Sequence, residues 1–257
     1  MTEKLAINTV HEGDCLELMK RIPDGSVDMI LCDLPYGTTA AKWDSVIPFE
    51  QLWAEYERVI KPNGAIVLTA AQPFTSVLIV SNLKLFRYQW YWLKNKVTGF
   101  ANAKKQPLRN VEDVLVFYKK LPTYNPQGLV RIDKKKKNGK SVGGETLRTD
   151  IEKSAGKGSL RTAGREYIQE FTNYPRQALQ VDCEPKTSHP TQKPVALFEY
   201  LIRTYTNEGE IVLDNCIGSG TTAVAAINTG RNFIGIEQEP EYVELARKRI
   251  ADAYSAI

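Results

Sequence analysis

This 257-residue chain is short of histidine and has no closely paired cysteines. Its two histidines, His11 and His189, leave little for a histidine metal centre or a histidine-assisted nucleophile. The four cysteines, Cys15, Cys32, Cys183 and Cys216, form no CxxC pair, so neither a disulfide framework nor a cysteine zinc site is predicted. No apolar run approaches the roughly 18 residues of a membrane span, and the opening residues lack the apolar core of a signal peptide. There is no GxxxxGK[ST] phosphate loop and no internal repeat. These absences point to a reduced, metal-free, cytoplasmic protein without a membrane partner. What is present suffices for a packed core: 42% of residues are hydrophobic. The length accommodates one large α/β domain with an insertion, or two small domains.

Charge is unevenly spread. The formal net charge is +4. Between Lys119 and Arg165 there are 13 basic and 4 acidic residues, an excess of nine that leaves the remainder of the chain at −5. One basic segment on an otherwise ordinary chain is the footprint expected of a nucleic-acid contact, although a solvated loop has the same composition. Within it lies Lys134-Lys135-Lys136-Lys137, and Arg148, Arg161 and Arg165 offer donor forks that fit guanine O6 and N7. For any one of these, contact with phosphate or plain solubility is the commoner role.

Apolar periodicity divides the rest. Val27–Cys32, Ala65–Thr69, Ile211–Asp214 and Asn232–Glu237 are continuous runs of the kind that fill a sheet buried on both faces. Phe86–Leu93 and Val111–Tyr118 are longer strand-like stretches. Asp14–Lys20, Phe49–Ile60, Pro73–Ser81, Pro194–Thr204, Thr222–Thr229 and Tyr242–Ala253 have helical spacing, and Lys61-Pro62-Asn63-Gly64 predicts a turn. Lys119–Lys186 loses periodicity and predicts irregular structure with short helices. Alternating strands and helices at both ends predict an α/β fold, a doubly wound and mostly parallel sheet.

Two strand ends carry the chemistry. The strand ending at Asp214 runs into Asn215-Cys216-Ile217-Gly218-Ser219-Gly220-Thr221-Thr222 and then an alanine-rich helix. A Gly-x-Gly at such a turn lets the backbone approach a ligand closely. Glu237 ends the next strand, seventeen residues beyond Gly220, where it is placed to accept from ribose hydroxyls. Asp214 suits a ligand ammonium and is awkward beside a pyrophosphate, which favours S-adenosylmethionine over a nicotinamide dinucleotide. At the other strand end stands Asp33-Leu34-Pro35-Tyr36, at the edge where open α/β sheets place their sites. The nitrogen of a base amino group is a poor nucleophile because its lone pair is delocalised into the ring. The Asp33 carboxylate and the Leu34 main-chain carbonyl would accept its two hydrogens and stabilise the charge that grows there. Pro35 stiffens that loop, and Tyr36 offers an aromatic face to a base taken out of the duplex.

With DLPY near the amino end and the glycine loop near the carboxyl end, the chain resembles the β-group of amino-directed DNA methyltransferases. The resemblance covers nearly the whole chain outside about 120–186. His189-Pro190-Thr191-Gln192-Lys193-Pro194 resembles the segment that precedes the cofactor motif in that family, Gly13-Asp14-Cys15 its early acidic position near the cofactor adenine, and NVEDVLVFYKK its last core hairpin strand. The resemblance implies a Rossmann-like methyltransferase fold with a seven-stranded sheet, a catalytic domain at 1–119 and 187–257, and a target-recognition insertion at 120–186. It implies S-adenosylmethionine as cofactor, with Asp14, Cys32, Asp33, Lys193, Asp214, Cys216, Gly218, Gly220, Thr221, Thr222 and Glu237 around it. It further implies double-stranded DNA as partner and a prokaryotic or phage-encoded origin. Two departures stand out: Leu34 where the family has Pro, and Asn215-Cys216 where it has Pro-Phe. The leading Asp of DLPY resembles adenine-N6 members more than cytosine-N4 members, and both bases stay open. Outside this class, an inactive DNA-binding protein or a dinucleotide oxidoreductase are the competing readings. The length predicts a stand-alone methylase without restriction or specificity domains; the oligomeric state is open, a dimer included.

Overall fold

A strand covered by helices on both faces must be apolar at successive positions, and the strands that end in Asp33 and Asp214 are built this way. The computed structural model of the protein describes residues 3–38, 44–137, 166–185 and 192–256. Its strands are β1 (Thr9–Glu12), β2 (Val27–Asp33), β3 (Ile60–Ala70), β4 (Phe86–Thr98), β5 (Arg109–Phe117), β6 (Val130–Lys137), β7 (Glu166–Thr172), β8 (Ala178–Gln180), β9 (Ile211–Asp214) and β10 (Asn232–Glu237). Its α-helices are α1 (Cys15–Met19), α2 (Phe49–Val59), α3 (Phe74–Ser81), α4 (Val195–Tyr205), α5 (Thr221–Asn228) and α6 (Pro240–Ser255).

The chain divides into two compact units, one of Met1–Asn125 with Arg176–Ile257 and one of Pro126–Pro175. The large unit holds a sheet in the order β1-β10-β9-β2-β3-β5-β4-β8. From β1 to β3 the pairings are parallel; β5 is antiparallel to both β3 and β4, and β8 runs parallel to β4. This is the α/β, mostly parallel sheet expected, with eight strands among the described residues where seven were expected. The additional one is β8, three residues long, too short to leave a periodicity in the sequence.

Alternation along the central strands sends Met29, Leu31, Val67 and Val212 to one face and Ile30, Cys32, Ile66, Leu68 and Leu213 to the other. The first face is covered by α4, α5 and α6 through residues such as Phe198, Leu201, Ala226 and Ala246. The second is covered by α1, α2 and α3 through Met19, Leu52, Tyr56, Phe74 and Leu78. The sheet is therefore wound on both sides. Under the first face, Tyr205 accepts from Trp90 Nε1 at 2.7 Å and shares a hydrogen with the Tyr88 hydroxyl at 2.8 Å. Tyr205→Phe leaves that indole N–H buried without its acceptor, and a loss of about 1–3 kcal/mol is expected in urea unfolding. A midpoint that does not move would remove this bond from the account of stability.

Two local expectations are corrected. Lys61–Gly64, read as a turn after a helix, lies inside β3, where the pairing with β2 jumps from Val27↔Ile60 to Met29↔Ala65. The exposed Pro62 and Asn63 sit in this irregularity, which accommodates a proline that a regular ladder would not. The segment Lys119–Lys186, read as irregular with short helices, contains no helix among its described residues. Its small unit, within that segment, is built on the antiparallel pair β6–β7. The lysine run sits on β6, with Lys134 facing Gln169 and Lys135 facing Ile168. A lysine run has low strand propensity, and pairing with a partner strand overrides it.

Candidate functional site

Four strands of the large unit end in an acid, and in three of them, β2 with Asp33, β9 with Asp214 and β10 with Glu237, that acid faces a common space. All three line one cleft of about 650 Å³ at the carboxyl edge of the sheet, together with Tyr36, Glu112 and Lys193. Such an edge is where open α/β folds bind ligands, because the loops that leave it diverge.

At the β2 end the Asp33 carboxylate is held by three donors. Oδ2 accepts from Lys193 Nζ at 2.7 Å, and Oδ1 accepts from the hydroxyls of Tyr36, at 2.8 Å, and Thr69. Thr69 is the residue opposite Asp33 in the β2–β3 register. A carboxylate offers about four acceptor positions, so one is left for a further donor. Tyr36 Oη also lies 3.1 Å from Glu112 Oε1 and 3.2 Å from Thr69 Oγ1, and its single hydrogen is shared among the three acceptors. Its ring stacks on Phe74 with centroids 5.0 Å apart. The Lys193 ammonium sits 5.5 Å from the Tyr36 ring centre.

Lys193 is also bound to Glu112 at 2.9 Å, and the other oxygen of Glu112 pairs with Lys94. Lys193 and Glu112 are 8% and 7% exposed at their side chains, so this is a buried network. Burial would strip the charge from Lys193, but the Asp33 and Glu112 carboxylates override it and hold its pKa above the usual lysine value. Burial likewise works against Glu112, and the two ammoniums more than offset it, holding its carboxyl below its ordinary range. The Tyr36 hydroxyl is pushed up by burial and by the two carboxylates, and stays a donor. Lys193, expected at the cofactor, is thus tied to Asp33 and Glu112, although it does line the cleft. Leu34 is buried in the core beneath the loop and also lines the cleft. Pro35 is half-buried and lines the cleft.

At the β9 end the glycine loop is fixed by the acids themselves. Asp214 Oδ1 accepts from Cys216 N at 3.1 Å and Oδ2 from the Thr222 hydroxyl. Burial pushes the Asp214 carboxyl up to about 7 against those two donors. Among the described residues no ammonium or guanidinium pairs with it. Glu237 accepts from Gly218 N at 2.8 Å and from the amides of Gln238 and Glu239 at 2.9 and 3.0 Å. Gly218 has φ +50°, and a Cβ there would meet only the Cys216 carbonyl, at 4.0 Å; Gly220 has φ +86°, and its Cβ would press on Ala246 at 3.1 Å. Gly218 therefore presents bare backbone to the cleft, while Gly220 lets α6 pack against the loop and is not a lining residue. Thr221 lies in hydrogen-bond reach of the Lys193 carbonyl at 3.4 Å and lines the cleft with Thr222 and Cys216. Asp14 caps α1 by accepting from Glu17 N, and it too lines the cleft. Cys32 is fully buried, does not line the cleft, and burial pushes its thiol up to about 12.

Sequence reasoning missed Glu112, Lys94, Thr69 and Arg249. Arg249 reaches from α6 to the Ser219 carbonyl at 2.7 Å and its hydroxyl at 2.9 Å, bracing the glycine loop. A glutamate inside the apolar run NVEDVLVF was the one available signal for Glu112. Lys134, Lys135 and Lys136 are exposed on β6; Arg148, Arg161 and Arg165 lie outside the described residues, as do His189, Pro190 and Thr191 of the segment before α4. No group of histidine, cysteine and acidic residues among the described residues is arranged to hold a metal ion. No helix among them is long and apolar enough to cross a membrane.

The chain matches the DNA methylase family over residues 27–248. It is 30% identical over 262 residues to the DNA adenine methyltransferase YhdJ of Escherichia coli (strain K12), across 96% of this chain and 85% of that protein. It is 28% identical over 280 residues to the Type II methyltransferase M.HinfI of Haemophilus influenzae, across 96% and 69%. The crystal structure of the M1.HpyAVI–SAM complex is similar with a TM-score of 0.61 at 26% identity, covering 94% of this chain and 98% of that one. The cytosine-N4-specific PvuII DNA methyltransferase shares the fold, with a TM-score of 0.63 at 18% identity over 98% and 93% of the two chains. With the family matched from β2 into α6, across both ends of the cleft, the chain belongs to the DNA methylases.

Proposed function

We propose that this protein methylates the N6 amino group of adenine in double-stranded DNA, with S-adenosylmethionine as methyl donor. The observation that carries the reading is the Asp33 carboxylate, fixed by Lys193, Tyr36 and Thr69 with one acceptor position left, in the same cleft as the glycine loop. Similarity to an adenine methyltransferase at 30% identity supports the base, and similarity to a SAM-bound structure supports the cofactor. Cytosine N4 is the second reading, favoured only by the fold shared with the PvuII enzyme.

The residues present fit the cofactor. Asp214 is a buried carboxylate in need of a cation, which the methionine ammonium provides, and Glu237, with three of its about four acceptor positions filled, keeps one for a ribose hydroxyl. Bare backbone at Gly218 admits close approach. When bound, S-adenosylmethionine supplies an electrophilic methyl group. Asp33 accepts one hydrogen of the target amino group and the Leu34 carbonyl the other, drawing the nitrogen lone pair out of conjugation. Lys193 fixes the carboxylate in place and carries a permanent charge beside it. Tyr36, backed by Phe74, stacks on the extruded base. Thus no nucleophilic side chain is required. The 120–186 insertion serves target recognition, its β6 lysines bearing on phosphates. Four free thiols and relatives from Haemophilus and Escherichia support a cytoplasmic bacterial or phage protein.

The experiment is incubation of unmethylated genomic DNA with the protein and labelled S-adenosylmethionine, followed by nucleoside chromatography. Label in N6-methyladenine is expected. Label in N4-methylcytosine keeps the chemistry and overturns the base; absence of label, with S-adenosylhomocysteine still binding, overturns the DNA reading.

Asp214 makes the cofactor site sensitive to pH. With its carboxyl at about 7, the group must lose a proton before it can pair with an ammonium. S-adenosylhomocysteine is therefore expected to bind about eightfold more weakly at pH 6 than at pH 7.5, from the fraction ionised at each pH. Calorimetry at the two pH values checks this, and Asp214→Asn should bind weakly at both. A wild-type affinity that is flat over this range refutes the titration of Asp214 there, and an Asp214→Asn protein that binds as tightly as the wild type refutes the ammonium pairing.

A further inference from the structure

Strand β4 leaves the cleft along a face that bears basic residues. Trp92, Lys94, Lys96 and Thr98, alternate residues on one side of the strand, all line the cleft. Beyond Leu93↔Val111 the β4–β5 pairing is irregular until Thr98↔Arg109. Gly99, at φ +95°, then turns the chain into a 3-10 turn at Phe100–Asn102. Phe100 heads this turn with 66% of its surface exposed. From Lys94 to Arg109 there are five basic residues and no acidic one, in a unit that is otherwise acid-rich at its strand ends. Lys104, Lys105 and Arg109 are exposed. A single exposed phenylalanine needs no explanation on its own. Here it stands at the tip of an arm that starts in the active-site cleft and bears charge of one sign only.

We propose that the β4–β5 turn is a second DNA-contacting element, separate from the basic insertion, and that Phe100 is its wedge. Lys104, Lys105 and Arg109 neutralise phosphates of the duplex. Phe100 enters the base stack beside the target and occupies the space the extruded base vacates. Apolar wedges of this kind work because unstacking a base step is repaid by contact with the inserted side chain. Charge complementarity selects a polyanion, and continuity with the cleft places the contact next to the reacting base. The inference rests on the DNA reading above and adds to it the residues that open the helix.

Two measurements test it. In the first, a 30-base-pair duplex of mixed sequence is titrated with the protein over a range of salt, by fluorescence anisotropy. Lys104→Ala/Lys105→Ala is expected to lower the slope of log affinity against log salt by up to about 1.8, near 0.9 for each phosphate that is no longer neutralised. This needs no turnover, so it stands even if no base is methylated. In the second, the target site is mapped by sequencing DNA methylated by the wild type and placed in a duplex with either its normal complement or an abasic position opposite the target base. Phe100→Ala is expected to lose at least tenfold in kcat/KM on the paired target, to recover on the abasic one, and Phe100→Trp to remain active. An unchanged salt slope overturns the phosphate contacts. A Phe100→Ala protein equally active, or equally impaired, on both duplexes overturns the wedge. Conversion of a dimer to a monomer by Phe100→Ala in sedimentation assigns the turn to self-association and overturns both. Failure of the wild type to methylate any DNA speaks against the function itself.

Discussion

Lys193→Met is expected to destabilise the protein by about 3–5 kcal/mol, because it leaves the buried Glu112 short of one cation and Asp33 without its own. For a chain of this size that corresponds to a fall in melting temperature on the order of 10 °C. The methionine stem fills much the same space, so loss of packing contributes little. Removing one carboxylate at the same time restores part of the balance: Lys193→Met/Glu112→Gln should be more stable than Lys193→Met alone. Urea unfolding of the wild type, both single variants and the double variant closes the cycle and yields the coupling directly. A single-variant cost below about 1 kcal/mol, or strictly additive effects, would show that the ion pairs of the cleft contribute nothing beyond neighbourly placement.

Asp33→Ala is expected to lower kcat for methyl transfer by about 10²–10⁴, the range for losing a preorganised polar group at a centre where charge develops. Stability should suffer less than in Lys193→Met, since Lys193 keeps Glu112 as a partner. Asp33→Asn is the sharper variant. It preserves shape and one acceptor oxygen, but its amide hydrogens face the hydroxyls of Tyr36 and Thr69 or the Lys193 ammonium. It should therefore also be severely slowed. Single-turnover rates with saturating DNA, beside calorimetric binding of S-adenosylhomocysteine, separate chemistry from cofactor affinity. Retention of more than a tenth of the wild-type rate by either variant would falsify the acceptor role of Asp33.

The strand ends were legible because parallel strands announce themselves. VDMILC and IVLD are apolar at nearly every position and stop at an acid, so Asp33, Asp214 and Glu237 fall on one edge by sequence alone. The glycine loop was legible for a related reason, through the backbone conformations that only glycine takes freely at 218 and 220. Glu112 and Lys94 were not, because their roles arise from pairings across the sheet that no local pattern encodes. Lys193 lies 160 residues from Asp33 and is a cofactor residue by resemblance alone; what it touches depends on α4 docking beside β2. Strand β8 was invisible at three residues. Strand β6 was obscured by a lysine run that favours no regular structure until β7 pairs with it.

Strand β2 pairs with β9 through Met29↔Val212 and Ile30↔Leu213. The two ends of the cleft are thus neighbours in the sheet and strangers in the chain. During synthesis, a ribosome must release residues well past Asp214 before the strand bearing Asp33 finds its partner on that side. Until then the flank of β2 is an unpaired, largely apolar edge, the kind of surface that invites aggregation. Contacts of such long range also predict slow, non-local folding compared with a helical bundle of equal size. A circular permutant opened within the small unit would place β9 and β10 ahead of β1 and β2, joined by a linker between the old termini. It would bring the cofactor strands and the catalytic strand out of the ribosome in close succession, with every pairing of the mature sheet preserved.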